Sequence, residues 1–454
     1  MSRVKNMTVG NPTKLIVLFA APLILANFGQ QLYMIADAVI VGKGVGVEAL
    51  AAVGATDWSY WLALWVIQAL AQGFAIPISH YFGVGDQVRL RQAVAMSVKL
   101  CLLIGIALTA VCLLIARPLL SLLQTPDDIF GGALEYLLTM YGGILIVMAY
   151  NMAASILRAL GDGKTPLIAI AIAGVTNVIL DLLFVLVFGW GILGAAVATV
   201  AAQLLAFFYC FWELRKLDLM KIGKDDWRFR RDIAAGQCRL GFPLALQHIL
   251  IAVGGMILQS AINKHGFLFI AGFTATNKIY GLLESSALSL GYAVTTYMAQ
   301  NYGAGLYGRI RRGLKGAVAV AVLMSFAVSA AMILAGRPIL GLFIDTSSSG
   351  ASETLDIAYH YLFIMSCLLL SLYLLYVFRN TLQGLGNAVA PLISGVMEFA
   401  ARVSAAYFFT GIFGDEAIFF AEPSAWFAAM AVLIAFCLKA VRALPESPAS
   451  ENLS

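Results

Sequence analysis

The chain has 454 residues, 61% hydrophobic and only 12% charged, with a mean hydropathy of +0.89. That is too little polar surface to cover one water-soluble core of this length, so the protein is an integral membrane protein. The net charge of +5 reports topology and contact with anionic lipid headgroups, not nucleic-acid binding.

Apolar runs of about 20 or more residues, the length that about 30 Å of hydrocarbon demands of a helix, recur along almost the whole chain. The sequence predicts twelve helical spans, near 14–36, 51–81, 93–116, 133–157, 166–188, 191–213, 240–263, 270–301, 313–335, 357–382, 391–413 and 418–440. None alternates with the period of a barrel strand. The basic start "MSRVKNMTVGNPTK" precedes an apolar segment too long for a signal peptide and without a small-residue cleavage site, so it is expected to remain as the first span. The second and eighth spans, from Ala51 to Phe82 and from Ala271 to Tyr302, are longer than a bilayer core requires. With the amino terminus inside, cytoplasmic segments carry most of the basic residues, including Arg89, Arg91, Arg215, Lys216, Arg228, Arg230, Arg231, Arg309, Arg311 and Arg312. The outer segments hold only Lys43, Arg117, Lys264 and Arg337, which places both termini in the cytoplasm.

Enzyme chemistry finds no support. "RALGDGKTP" at 158–166 contains Gly-Lys-Thr, but Arg158 stands where a phosphate loop requires glycine, and Pro166 follows where its helix should continue. The glycines of "GKGVGV" at 42–47 do not fit a dinucleotide loop. His80, His248, His265 and His360 are scattered. The six cysteines are isolated and read as small apolar packing residues. No cofactor is expected.

The chain matches itself at an offset of about 220. "YFGVGDQVRLRQAV" after the second span aligns with "NYGAGLYGRIRRGL" after the eighth, and "RPLLSLL" from Arg117 with "RPILGLF" from Arg337. "LRALGDGKTPL" at 157–167 aligns with "LQGLGNAVAPL" at 382–392, and Pro22 with Pro243. An even number of spans per half makes the repeat parallel. The expected architecture is an all-α membrane fold of twelve transmembrane helices in two pseudo-symmetric six-helix lobes. Its parts are an amino-terminal lobe at 1–215, a basic cytoplasmic linker at 216–239, a carboxy-terminal lobe at 240–440 and a cytoplasmic tail at 441–454.

An ionisable group inside a span costs at least about 2.5–3.5 kcal/mol on insertion scales, which makes it a functional hypothesis. Asp37, Asp181, Glu284 and Glu398 are such acids, with Lys278 and Arg402 as bases at comparable positions. Glu398 and Arg402 stand four apart in the favourable order for an ion pair on one helix. Glu284 is a candidate for a substrate or proton role near the outer mouth. Asp37 and Asp181 have no local partner. Asn177, four residues before Asp181, shares its helix face, and Asn151 and Thr199 could add further oxygens. Hard oxygen donors suit a proton or Na⁺, with Na⁺ expected at Asp37, Asn177 and Asp181. In the repeat, Asp37 falls on Leu258, and Asn177 and Asp181 fall on Arg402 and Ala406, so the cluster belongs to the amino-terminal half alone.

At this point the residues resemble the multidrug and toxic compound extrusion (MATE) transporters. The resemblance covers essentially the whole chain through "QQLYMIADAVIVGKGVGVEALAAVGA", the "GVGD" and "GAG" loops and "LRALGDGKTP". It implies two lobes, alternating access, and export of cationic or amphipathic organic compounds against inward H⁺ or Na⁺. It implies a cation site on Asp37, Asn177, Asp181 and Thr199 with Asn151 nearby, and a bending first span at Pro22. Acids found in the seventh and tenth spans of several branches are missing here, which shifts weight onto the amino-terminal lobe.

The resulting expectation is a monomeric antiporter of a bacterial inner membrane, with Asp37 and Asp181 as the coupling-cation site. Gln30, Gln31, Tyr33 and Met34 are expected to line the substrate pathway, together with Glu284, Glu398 and Arg402. The alternative is a flippase of a lipid-linked precursor from the same wider superfamily.

Overall fold

In hydrocarbon every backbone N–H and C=O must find its partner inside the protein, and a helix supplies those partners locally. The computed structural model, which describes residues 4–342, 344 and 350–446, accordingly has only helices as regular elements. In chain order these are α1 (Pro12–Gly44), α2 (Val47–Val84), α3 (Gln87–Leu122), α4 (Asp127–Gly142), α5 (Ile144–Ala159), α6 (Lys164–Asp181) and α7 (Gly191–Arg215). There follow α8 (Arg231–Ile262), α9 (Phe267–Gly303), α10 (Tyr307–Leu340), α11 (Ala351–Gly384), α12 (Val389–Ser404), α13 (Thr410–Phe413) and α14 (Ala421–Arg442).

Among the described residues, ten helical stretches are long and apolar enough to cross a membrane, eleven if the α4 and α5 pair is one span. Two expectations change. The fourth span, read as one helix over 133–157, is broken at Gly143, where α4 and α5 meet at 45°. The eighth span is a continuous helix of 37 residues, α9, but is not among the stretches apolar enough to count. Asn277, Lys278, Glu284 and Gln300 lie along it.

The chain divides into two compact units, Met1–Asn6 with Ala21–Ala245, and Met7–Ala20 with Leu246–Ser454. The amino-terminal unit holds α1 from Ala21, α2 to α7 and the first turns of α8. The carboxy-terminal unit holds the first turns of α1, the rest of α8 and α9 to α14. The 212–239 tether therefore belongs wholly to the amino-terminal unit. Asp226 is fixed there by Arg91 Nε at 3.2 Å and by the Gly223 N–H at 2.9 Å, and the Lys99 ammonium donates to the Trp227 carbonyl. Deeper in that unit α2 and α8 touch closely, because a Cβ on Gly73 would lie 2.5 Å from the Gly241 Cα. The buried Gln237 amide donates to the Phe74 and Ala93 carbonyls and to Ser97 Oγ.

The repeated motifs are helix boundaries. In "LGDGKTP", Gly161 turns the chain at φ +82°, and Asp162 Oδ1 accepts from the Lys164 and Thr165 N–H groups at 3.0 Å each. In "LGNAVAP", Gly386 does so at φ +80°, and Asn387 Oδ1 accepts from the Val389 and Ala390 N–H groups at 3.1 Å each. Both meet donors that the first turn of a helix leaves unsatisfied. Each capped helix also ends alike. α6 passes into a π-helical turn at Leu182–Val187, and α12 into one at Ala405–Phe409.

Candidate functional site

Asp181 is the last residue of α6, directly before the π-helical turn, a distortion that frequently marks functional positions. Asn177 lies one turn earlier on the same face. Both are buried, Asn177 to 1% exposure and Asp181 to 0%. The Asn177 amide donates from Nδ2 to Thr199 Oγ1 of α7 at 3.3 Å, and its oxygen is buried without a donor. From α1, Asp37 comes within direct interaction range of Asp181, each acting on the other. Asp37 Oδ1, Asn177 Oδ1 and both Asp181 carboxylate oxygens are buried without a hydrogen-bond partner. No lysine, arginine or histidine is among the groups acting on either acid.

Four buried acceptor oxygens without a donor on Asp37, Asn177 and Asp181 form a cluster whose chemistry suits a cation or a proton. Buried polar groups ordinarily find partners, and a buried uncompensated carboxylate is costly. Two adjacent carboxylates cannot both carry charge cheaply without a bound cation between them. The donors are hard oxygens, a chemistry that fits a proton or Na⁺. Among the described residues no group of three or more His, Cys, Asp or Glu side chains is gathered as for a metal ion.

The other predicted positions fall out as follows. Asn151 on α5 donates its amide to the Val147 carbonyl of its own helix at 2.9 Å, so its geometry is that of a helix-surface amide. Gln30 and Gln31 are half-buried on α1. The side chains of Tyr33 and Met34 lie outside the described ones. Pro22 sits inside α1, beside the Ala20/Ala21 division between the units.

Glu284, Glu398 and Arg402 lie in the carboxy-terminal unit. Glu398 and Arg402 form the ion pair expected from their spacing, at 3.8 Å, and both also reach other helices. The shorter contacts of Arg402 are with Glu422 of α14, two bonds, Nε to Oε1 at 2.9 Å and Nη2 to Oε2 at 2.8 Å. Glu398 is held by Arg379 of α11. The reason is geometric: a two-pronged guanidinium contact with a carboxylate across helices is better than a single reach along one helix. Glu284 Oε1 accepts from the Tyr376 hydroxyl at 2.9 Å.

Asp57, Arg379 and Glu422 are further charged residues inside predicted spans, absent from the expected sites although their position in apolar runs is signal enough. Tyr136 of α4, which lies within range of Asp37, Asp57 and Asp181, carries no such signal.

The MatE family model matches residues 22–183 and 243–408, once in each half of the chain. The chain belongs to the MatE family. Its members, the MATE transporters, move solutes and are not enzymes. The two matched stretches begin at Pro22 and Pro243, the prolines that the internal repeat aligns. Among curated relatives, the chain is similar to the probable multidrug resistance protein YpnP of Bacillus subtilis (strain 168), 32% identical over 308 residues, 67% of this chain and 68% of that protein. It is similar to the probable multidrug resistance protein YoeA of the same organism at 26% identity, covering 84% of this chain and 82% of the relative. The probable multidrug resistance protein NorM of Thermotoga maritima matches at 24%, covering 88% and 87%. Among solved structures, a MOP superfamily transporter from Pyrococcus furiosus superposes with a TM-score of 0.91 at 23% identity, over 98% of this chain and 100% of that one. An outward-facing multidrug resistance MATE family transporter gives 0.91 at 24%, over 98% and 99%. At these identities the structural likeness speaks for the fold: an all-α, multi-pass membrane protein of MATE type.

Proposed function

We propose that the chain is a secondary antiporter that exports cationic or amphipathic organic compounds in exchange for H⁺ or Na⁺, with Asp37 and Asp181 as the coupling-cation site. The observation that carries this reading is the set of four buried acceptor oxygens on Asp37, Asn177 and Asp181 without a basic partner. A coupling ion can bias two conformations only by binding them unequally, and a site that is costly when empty and stable when filled does so. The names of the relatives, multidrug resistance proteins, support the substrate class. We place the twelve spans in two six-helix lobes in a bacterial inner membrane, with both termini cytoplasmic, on the charge distribution and the repeat. A flippase would need guanidinium groups free to meet a lipid-linked anion, whereas Arg379 and Arg402 are each engaged by a carboxylate.

Reconstitution into liposomes tests the assignment. With a pH or Na⁺ gradient imposed separately, the parent is expected to drive efflux of ethidium under at least one of them, and Asp37→Asn to lose that response. Gradient-driven export by Asp37→Asn equal to the parent's under both gradients would refute the site.

A further inference from the structure

The tether between α7 and α8 carries a positive surplus. From Arg215 to Arg231 it holds seven basic and three acidic residues. Asp218 and Asp225 pair with Lys221 and Arg228 at 2.7 and 3.2 Å, and Asp226 turns back to Arg91 of α3. The tether ends in "WRFRR" at 227–231, where aromatic and basic side chains alternate and all five residues are exposed. Large aromatic rings beside arginines are disfavoured in bulk water and favoured where lipid headgroups meet acyl chains.

The level at which this segment is held is set by α3. The short turn Lys224–Trp227 is pinned to that helix twice, by Arg91 Nε on Asp226 Oδ2 at 3.2 Å and by the Lys99 ammonium on the Trp227 carbonyl. Lys99 is the last charged residue of α3 before Arg117, and the large side chains exposed between the two are apolar, among them Leu102, Leu103, Ile106 and Leu114. α3 therefore passes from the headgroup region into hydrocarbon just beyond Lys99, which puts Trp227 at that boundary. The end of α7 that leads into the tether has the same character. Phe208, Phe211 and Trp212 are exposed at helical spacing, with the Arg215 guanidinium 5.8 Å from the Phe211 ring centre and the Lys216 ammonium 5.6 Å from that of Trp212.

We infer that residues 227–231 form a binding surface for an anionic phospholipid, with Trp227 and Phe229 at the edge of the acyl chains and Arg228, Arg230 and Arg231 on the headgroup phosphate. A guanidinium suits a phosphate because it can donate two parallel hydrogen bonds to it. The aromatic residues and the level set by Lys99 favour a lipid over a free phosphate. A phosphatidylcholine headgroup cancels its own phosphate with its ammonium, so the positive surplus selects a headgroup of net negative charge. The inference is independent of the cation-coupling reading.

The test uses the full chain in phosphatidylcholine nanodiscs that contain an equal minor fraction of either phosphatidylglycerol or phosphatidylcholine brominated in its acyl chains. The emission of Trp227 is obtained by difference from Trp227→Phe. Its quenching is expected to be about threefold stronger with the brominated phosphatidylglycerol, as for a surface with several basic residues near it. The combined variant Arg228→Gln, Arg230→Gln, Arg231→Gln should bring the ratio to one, and the three lysine substitutions should keep it above one. Equal quenching of the parent by the two lipids, or quenching by neither, overturns the inference. So does an unchanged ratio in the glutamine variant, or loss of the preference when inorganic phosphate is added at constant ionic strength, which would make the surface a site for free anions. Should the glutamine variant not elute as the parent does, the parent's own ratio at rising salt decides. Screening should bring it toward one, and a ratio indifferent to salt overturns the inference.

Discussion

A carboxylate inside a span survives only if its charge is met, and the two units meet theirs differently. In the carboxy-terminal unit Glu398 and Glu422 are held by Arg379 and Arg402, permanent cations that neutralise them in every state. Such a network fixes structure and has nothing to release, and breaking one partner of it would leave an uncompensated buried charge. In the amino-terminal unit Asp37 and Asp181 oxygens are buried without such a partner, which is the ground for proposing an exchangeable cation there. Thr199 enters the proposed site only through its hydrogen bond from the Asn177 amide. Thr199→Val should therefore raise the half-saturating concentration of the coupling ion by only about threefold, the equivalent of ~0.6 kcal/mol for one hydrogen bond between membrane helices. The measurement is a titration of efflux against the driving-ion concentration, and a loss as large as that of Asp37→Asn would make Thr199 a principal ligand instead.

At the scale of elements, the repeated "LGDGKTP" and "LGNAVAP" motifs do not make a phosphate loop, and their common content is a cap. Asp162 and Asn387 occupy equivalent positions after left-handed glycines and start α6 and α12, the helices that carry Asn177 with Asp181 and Glu398 with Arg402. Asp162→Ala should destabilise the folded protein by about 1 kcal/mol, read as a lowered midpoint of thermal unfolding in detergent, because two helix donors lose their acceptor. An unchanged midpoint would mean that water replaces the cap fully. Gly161 is less replaceable still, since a Cβ there would lie 2.0 Å from the Lys5 carbonyl oxygen in a backbone conformation that disfavours side chains. The cap residues were legible in the sequence because capping is local. The break at Gly143 was not, because two adjacent glycines permit a bend that packing then has to choose.

Across the whole molecule, two helices are each shared between the units. α1 passes from one to the other at Ala20/Ala21 and α8 at Ala245/Leu246, beside Pro22 and Pro243, the aligned prolines of the repeat. A proline inside a helix lacks the N–H that would bond to the fourth residue before it, so the helix bends there at reduced cost. If α1 flexes at this point during transport, Pro22→Ala should lower the maximal rate of efflux severalfold while leaving the half-saturating ion concentration unchanged. A variant that runs at the parent's rate would remove Pro22 from the cycle.

Hydropathy, charge distribution and self-similarity carry their information in single segments, which is why the membrane class, the helical content, the duplicated organisation and the isolation of Asp37 and Asp181 could all be read from the chain. The same locality limited the reading. Spacing found the ion pair of Glu398 with Arg402 along one helix, but not the shorter contacts of Glu398 with Arg379 and of Arg402 with Glu422 on neighbouring helices. The cost of a buried charge is a property of one residue and its surroundings in the apolar run. The identity of the group that meets the charge depends on the directions in which several helices present their side chains, and those are set only when the helices pack.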